Sequence, residues 1–238
     1  MPRTTPSINS VGSRRPPCPF LSLGARLVKT PTSVRTLEDF GRVRLSYSFF
    51  MRDFLYSDIA AIEGLRNLPS DPDLAIAAGQ RLCEELLEPL QATFGRLAIR
   101  SAYRSAEVNQ FGNDHFSSTG SNERNRGRHI WDQRSENGGM GAMTTVVVPW
   151  LVDRVATGTS WTSMAWWIHD HLPYSELQFF PKLAAFNIGW HEQSLRRIWS
   201  FTAPKGLLTK PGMPNHDGSH AHEYQGFPEL AKPVPRRT

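Results

Sequence analysis

The sequence predicts an α+β fold, in which helices come first and a small, antiparallel-leaning sheet with helices on one side follows. Apolar residues recur about every four positions between residues 74 and 90, which is the spacing of one helix face. Short runs rich in β-branched and aromatic residues follow, and their lengths suit strands. These runs cover residues 144–148, 176–180, 185–190 and 197–201. Helices followed by strands are typical of the α+β class.

Capping residues predict where the helices begin and end. Asp71 followed by Pro72 predicts the start of the long helix, and Gly95 predicts its end. Pro89 is expected to kink this helix because proline has no N–H to donate. Shorter helices are predicted after the serines that precede helical patterns, namely Ser48, Ser57, Ser105 and Ser160. Residues 112–139 are polar and turn-rich, and so long a connection is usually functional or mobile.

The 238-residue chain divides into three regions by composition. Residues 1–36 are rich in Pro, Ser and Thr and predict a disordered basic tail. Residues 37–202 form the predicted domain, and residues 203–238 are expected to be a poorly ordered tail. Much of the formal charge of +5 comes from residues 1–35, which hold six Lys or Arg and no acid. This tail could bind nucleic acid or lipid, act as a transit peptide or be a plain leader. Nucleic-acid binding is the least favoured of these.

Other features exclude some classes of protein. No run of about 18 apolar residues exists, so no membrane span is expected, and no secretory signal is evident. A cytoplasmic location is the default expectation. Cys18 and Cys83 lie in unlike contexts, which argues against a disulfide framework or a cysteine-based zinc site. We expect Cys83 to be a small core residue.

The segment 45–105 resembles the zinc D-Ala-D-Ala carboxypeptidases and murein endopeptidases of bacteria and phages. It has short helices, a long helix ending in Leu-x-Pro-Leu, and a strand that leads into Ser-Ala-Tyr-Arg-Ser-x-x-Val-Asn. The resemblance implies a Hedgehog/DD-peptidase-like fold. It also implies a substrate site at Tyr103, Arg104 and Ser105, where Arg104 would hold a carboxylate in a bidentate pair. The alternative is that Arg104 only ties the loop together.

The resemblance further implies zinc as cofactor. His129 and His191 stand where the family has metal-binding histidines, and Asp132 is the nearest carboxylate that could be a third ligand. Thr144 stands where the family's aspartate is expected, and Ile188 where its catalytic glutamate is expected. Glu192 or Glu176 could replace that general base if the fold turns them inward.

Two functions follow from these residues. The first is a zinc metallopeptidase-like protein, a hydrolase that acts on peptidoglycan peptides and works as a monomer. The second is a binding module that keeps the fold without catalysis and takes up cell-wall peptides or a protein partner.

The remaining polar clusters support weaker predictions. His169, Asp170 and His171 lie on one predicted helix, where residues two apart point about 200° from each other, so both histidines cannot face one metal ion. His216, His220 and His222 are expected in a solvated tail with at most weak metal binding. Arg124, Arg126 and Arg128 either line an anion-binding cleft or form a solvated loop. The tryptophans at 161, 166 and 167 are expected in the core.

Overall fold

The structure is a computed structural model that describes residues 27–116 and 119–231. It confirms the α+β class: the described residues include a six-stranded sheet with the order β1-β2-β4-β3-β5-β6. Neighbouring strands are antiparallel, except that β3 and β5 are parallel. The strands are β1 (Ala98–Ser101), β2 (Gly141–Val147), β3 (Glu176–Phe179), β4 (Phe186–His191), β5 (Arg197–Ser200) and β6 (Gly206–Thr209).

The helices are α1 (Val34–Gly41), α2 (Asp58–Glu63), α3 (Pro72–Leu82), α4 (Glu88–Phe94), α5 (Ala106–Phe116), α6 (Asn122–Asn125), α7 (Pro149–Ala156) and α8 (Trp161–His171). Local capping explains several starts. The side chains of Ser57, Asp71 and Ser160 each accept a backbone N–H within the first turn that follows. The helix expected after Ser48 is only a single 3-10 turn at Met51–Phe54.

The long helix is interrupted where the sequence predicted a kink. A wider π turn at Cys83–Leu87 joins α3 to α4, directly before Pro89. Proline cannot donate an N–H and its ring crowds the preceding turn, and a wider turn relieves that crowding. The helix ends as predicted at Gly95, which has φ 83°.

Helices cover one face of the sheet, and the other face carries the polar side chains. Leu177 and Phe179 of β3 and Ile198 of β5 are fully buried in the core. The ring of Phe179 lies 4.7 Å from that of Trp161 on α8, between ring centroids. Their strand neighbours alternate to the opposite face, as pleating requires. The tryptophans of α8 and Cys83 are buried, as predicted.

The prediction of a poorly ordered C-terminal tail is wrong for residues 203–231. β6 pairs with β5, and the Phe227 ring packs on Trp150 with 4.9 Å between centroids. The indole N–H of Trp167 donates to the Pro228 carbonyl at 2.9 Å. These contacts join residues far apart in sequence, so composition gave no sign of them. At the other end, α1 begins at Val34, ahead of the predicted boundary at residue 37.

The rest of the predicted tails, residues 1–26 and 232–238, and with them Cys18, lie outside the described residues. Within the described part of the chain, no helix has the length and apolar character needed to cross a bilayer.

Candidate functional site

A cleft of about 270 Å³ opens on the polar face of the sheet. We call it the arginine cleft. Its walls come from α6, the loop that leads into β2, and the strands β3, β4 and β5. Its charged and histidine side chains are Glu123, Arg124, Arg126, Arg128, Glu136, Glu176, His191 and Arg197. The sequence predicts either an anion-binding cleft or a solvated loop for Arg124, Arg126 and Arg128. All three line the cleft.

Glu176 lies at the base of the cleft and is 2% exposed. Arg197 donates to its Oε1 from Nε at 3.0 Å and from Nη2 at 2.8 Å. Arg128 pairs with Oε2 at 2.9 Å. Both carboxylate oxygens are thus occupied by guanidinium donors. Glu176, expected to be a general base, instead holds two arginines in place, because charge-assisted hydrogen bonds fix both partners.

A row of hydrogen-bonded side chains crosses the sheet from Glu176. The Gln178 amide donates to Glu176 Oε1 at 2.9 Å, and the Asn187 amide donates to Gln178 Oε1 at 2.9 Å. The Thr145 hydroxyl donates to Asn187 Oδ1. This polar row connects β2, β4 and β3 and supports the carboxylate at the bottom of the cleft.

His129 is buried, and its ring Nδ1 lies 2.7 Å from the Ala102 carbonyl oxygen. A carbonyl can only accept, so Nδ1 carries the proton and Nε2 holds the lone pair. Burial lowers the pKa of His129 well below its ordinary value, and the positive charges of Arg104 and Arg128 lower it further. The side chain is therefore neutral at neutral pH and has two guanidinium groups for neighbours.

His191 has both ring nitrogens engaged. Nδ1 lies 2.9 Å from the Gln193 backbone nitrogen and 3.2 Å from the Gln193 carbonyl oxygen. Nε2 lies 3.0 Å from Ser135 Oγ. Burial is the main cause that lowers the pKa of His191, which favours the neutral ring. A metal ion at either nitrogen would have to displace one of these contacts.

Asp132 is turned toward the start of α3. Its Oδ2 accepts hydrogen bonds from the backbone N–H and the hydroxyl of Ser70, each at 2.7 Å. Its Oδ1 is buried and has no hydrogen-bond partner in the described part of the chain. Burial and the nearby Asp132 carboxylate together raise the pKa of the Tyr103 hydroxyl.

The predicted metal ligands His129, Asp132 and His191 therefore each hydrogen-bond to a different part of the fold. Across residues 27–116 and 119–231, no group of three His, Cys, Asp or Glu side chains could hold a metal ion. The residues do not fit zinc. Both His191 nitrogens already have partners, Asp132 serves the α3 start, and a cation beside His129 would be repelled by the same guanidinium groups that lower its pKa.

The resemblance implies a substrate site at Tyr103, Arg104 and Ser105, but Tyr103 and Ser105 are buried. Tyr103 is fully buried and packs on Trp131, with 6.1 Å between ring centroids. The Ser105 hydroxyl donates to the Arg66 carbonyl and accepts from the Val108 N–H, so it caps α5. These two are parts of the fold's interior.

Arg104 is the exception. Its Nη1 donates to Asn109 Oδ1 at 3.2 Å, and it forms no ion pair with any described residue. Burial lowers the pKa of Arg104 to about 10. A largely buried guanidinium with one neutral partner is poorly compensated. It is the kind of group that an anion would stabilise.

The other carboxylate expected as a base, Glu192, lies outside the walls of the cleft and is 41% exposed. It accepts the Met140 N–H at 2.7 Å, with Arg134 at 3.5 Å, and so ties a loop to the end of β4. Thr144 and Ile188 pair in register and are both fully buried. The Thr144 hydroxyl donates to the Ser101 carbonyl at 3.1 Å. Neither position supplies an ionisable group.

Sequence reasoning missed Arg197. Its signal was weak: it begins a short, mostly apolar strand segment, and its partner Glu176 lies on another strand.

Two of the three histidines expected in a solvated C-terminal tail, His216 and His220, instead contact α8, whereas the side chain of His222 is 71% exposed as expected. His220 is 7% exposed, stacks on Trp166 with 4.1 Å between centroids, and bonds to Asp170 through Nδ1 at 2.7 Å. The ring Nε2 of His169 lies 2.8 Å from the His216 carbonyl oxygen. The expected solvated tail is therefore docked on α8.

Comparisons of the chain with protein-family models, with functionally characterised proteins and with solved structures found no match. The resemblance to zinc peptidases therefore stays a hypothesis about fold and ancestry.

Proposed function

We propose that the chain is a binding module with a peptidase-like α+β scaffold, and that the arginine cleft binds a peptide through a carboxylate. Peptidoglycan peptides are the first candidates, and other small peptides or a protein partner are the next. The single observation that carries this proposal is the pairing of one buried carboxylate, Glu176, with two arginines that face the cleft.

The charge of the cleft suits a ligand with one negative charge. Four arginines and three glutamates line it, which leaves an excess of one positive charge. Arg128 and Arg197 are already oriented by Glu176, so little side-chain freedom is lost when they bind a carboxylate. A guanidinium matches a carboxylate in both charge and planar geometry.

Binding without metal-dependent hydrolysis accounts best for the contacts of the ionisable groups. Glu176 has no free oxygen, Glu192 serves a loop, and both ring nitrogens of His191 are engaged. A general base must have an oxygen or nitrogen within reach of the proton that it removes. Glu176 has no such oxygen, Glu192 lies outside the cleft, and the two His191 nitrogens already contact Gln193 and Ser135.

A zinc peptidase is the second candidate, and one observation favours it. The Ala102 carbonyl fixes the His129 proton on Nδ1 and leaves Nε2 unprotonated, which is the form that metal-binding histidines adopt. Zinc analysis of the purified chain and release of D-Ala from a peptide ending in D-Ala-D-Ala test this candidate directly.

Calorimetric titration with that peptide, and with the same peptide as its C-terminal amide, tests the binding proposal. We expect the free acid to bind and the amide to bind at least about tenfold more weakly, since the charge-assisted pair is lost. R128Q and R197Q should weaken binding, and R96Q, which changes an exposed arginine outside the cleft, should not. Equal binding of acid and amide would contradict the proposal, and chelator-sensitive D-Ala release would favour the enzyme instead.

A further inference from the structure

Strand β5 and the residue that follows it carry exposed aromatic side chains on the same face as the arginine cleft. Arg197, Trp199 and Phe201 alternate along the chain, while Ile198 between them points into the core. Trp199 is 40% exposed and Phe201 is 48% exposed. Large aromatic side chains left in water beside a polar cleft are typical of binding surfaces.

The strand register makes these aromatics a continuation of the cleft floor. Arg197 lies beside Glu176, and Trp199 lies beside Gln178 in the next row of the same face. Phe201 stacks on Phe180, with 5.4 Å between centroids and 7° between ring planes. On the other side, Leu207 of β6 pairs with Trp199 and is 36% exposed. We call Trp199, Phe201, Phe180 and Leu207 the aromatic strip.

The spacing along this strip matches an extended peptide. Residues two apart on a strand are about 6.6 Å apart, and alternate side chains of an extended peptide have the same repeat. A carboxylate held at Arg197 therefore places the side chains two and four residues away over Trp199 and Phe201. Side chains one and three residues away point to the opposite side.

We propose that the aromatic strip binds an extended peptide segment that carries apolar side chains two and four residues from the carboxylate bound at Arg197. This inference rests on the proposed function and names the partner class of the same site. Charge complementarity selects the acidic position, because the cleft has one excess positive charge. The strip contributes no charged side chain, so it suits apolar residues.

Two capped nonapeptides test the spacing, with binding followed by calorimetry. The matched probe is acetyl-Leu-Gly-Leu-Gly-Glu-Gly-Leu-Gly-Leu-amide, which places leucines two and four residues from the glutamate in both chain directions. The control, acetyl-Gly-Leu-Gly-Leu-Glu-Leu-Gly-Leu-Gly-amide, has the same composition and charge with leucines one and three residues away. We expect the matched probe to bind about tenfold more tightly, since two leucines gain apolar contact.

Variants separate this inference from the proposed function. W199A and F201A should remove the preference for the matched probe and leave the affinity of the control probe unchanged. I62A removes an 82%-exposed apolar side chain from α2 and should change neither affinity. Equal binding of both probes, still sensitive to R197Q, would overturn the inference and keep the proposed function. Absence of binding by both probes would overturn the inference, and the proposed function would then be decided by the titration with the D-Ala-D-Ala peptide and its C-terminal amide. A concentration-dependent dimer in wild type that W199A abolishes would show that the strip binds a second copy, and would also overturn the inference.

Discussion

The Asp170 carboxylate accepts hydrogen bonds from both the backbone N–H and the ring Nδ1 of His220, each at 2.7 Å. Tyr224 adds a third bond from its hydroxyl at 2.8 Å. One side chain at the end of α8 thus fastens a segment that lies 50 residues further along the chain. The composition of this segment is typical of a disordered tail, and its hydrogen bonds to Asp170 make it part of the fold.

Asp170→Asn should therefore destabilise the protein by about 1–2 kcal/mol at pH 7, because it weakens several hydrogen bonds to a charged acceptor. Denaturant unfolding followed by fluorescence measures this loss. Asp153→Asn is the matched control, since Asp153 is exposed on α7. Similar losses in the two variants would show that the contact with His220 does not stabilise the fold.

The loss of stability caused by Asp170→Asn should depend on pH. Burial alone would raise the pKa of Asp170, but the hydrogen bonds from His220 and Tyr224 outweigh it and lower the pKa. A carboxylate whose pKa is lower in the folded state stabilises the fold above its unfolded pKa of about 3.9, and loses this effect as the pH falls through the folded pKa. The stability difference between wild type and Asp170→Asn should persist at pH 7 and pH 5 and shrink below about pH 4. A constant difference would contradict this account.

Glu176→Gln should cost about 2 kcal/mol of unfolding free energy, because two guanidinium groups lose a buried counter-charge. Glu192→Gln makes the same chemical change at an exposed site and should stay within about 0.5 kcal/mol of wild type. Thermal and denaturant unfolding of the pair check the contrast. If Glu192→Gln were the more damaging change, our account of the cleft floor would be wrong.

Gly141→Ala should be strongly destabilising, by more than about 2 kcal/mol, and should disturb the cleft. An added Cβ would collide with the Gly127 carbonyl oxygen and come within 2.6 Å of His191 Cδ2. Gly138→Ala is the control: its φ of 77° strains an alanine, but no atom lies within 4 Å of the new Cβ. We expect it to cost only about 1 kcal/mol. Comparable unfolding curves for the two variants would contradict the close packing around Gly141.

Added zinc should not raise the melting temperature of the purified chain, and a chelator should not lower it. A metal ion at His191 would have to displace the contacts to Gln193 or Ser135. Elemental analysis gives an independent measurement. One zinc per chain, lost in both His129→Ala and His191→Ala, would show that the residues rearrange into a metal site.

Features fixed by neighbouring residues could be predicted from the sequence. Asp71 with Pro72 begins α3, Ser160 begins α8, and Gly95 ends α4, because caps act within one turn. The strand β6 could not be predicted in this way. Its place depends on pairing with β5 and on the docking of the segment after it.

The site was predicted less well for the same reason. The distance between His129 and His191 along the chain suited a metal site, but the partners Ala102, Gln193 and Ser135 that occupy their ring nitrogens follow only from the fold. The sequence predicts that the run around Arg128 either lines an anion-binding cleft or forms a solvated loop, and it does not decide between the two. Glu176, the partner of Arg128, was proposed as a possible general base. No neighbouring residue in the sequence indicates that the pairing of β3 with β5 places Arg197 against Glu176.

The polar row from Thr145 through Asn187 and Gln178 to Glu176 connects the floor of the cleft to side chains that a ligand would not contact. A ligand carboxylate that shares Arg197 with Glu176 weakens the bonds of Arg197 to Oε1, which also accepts from the Gln178 amide, and that change passes to Asn187 on β4. Side-chain amide signals in a nitrogen-edited NMR spectrum would then shift at residues that the ligand does not touch. Occupancy of the cleft could be followed from inside the sheet, without a label on the ligand or on the arginines.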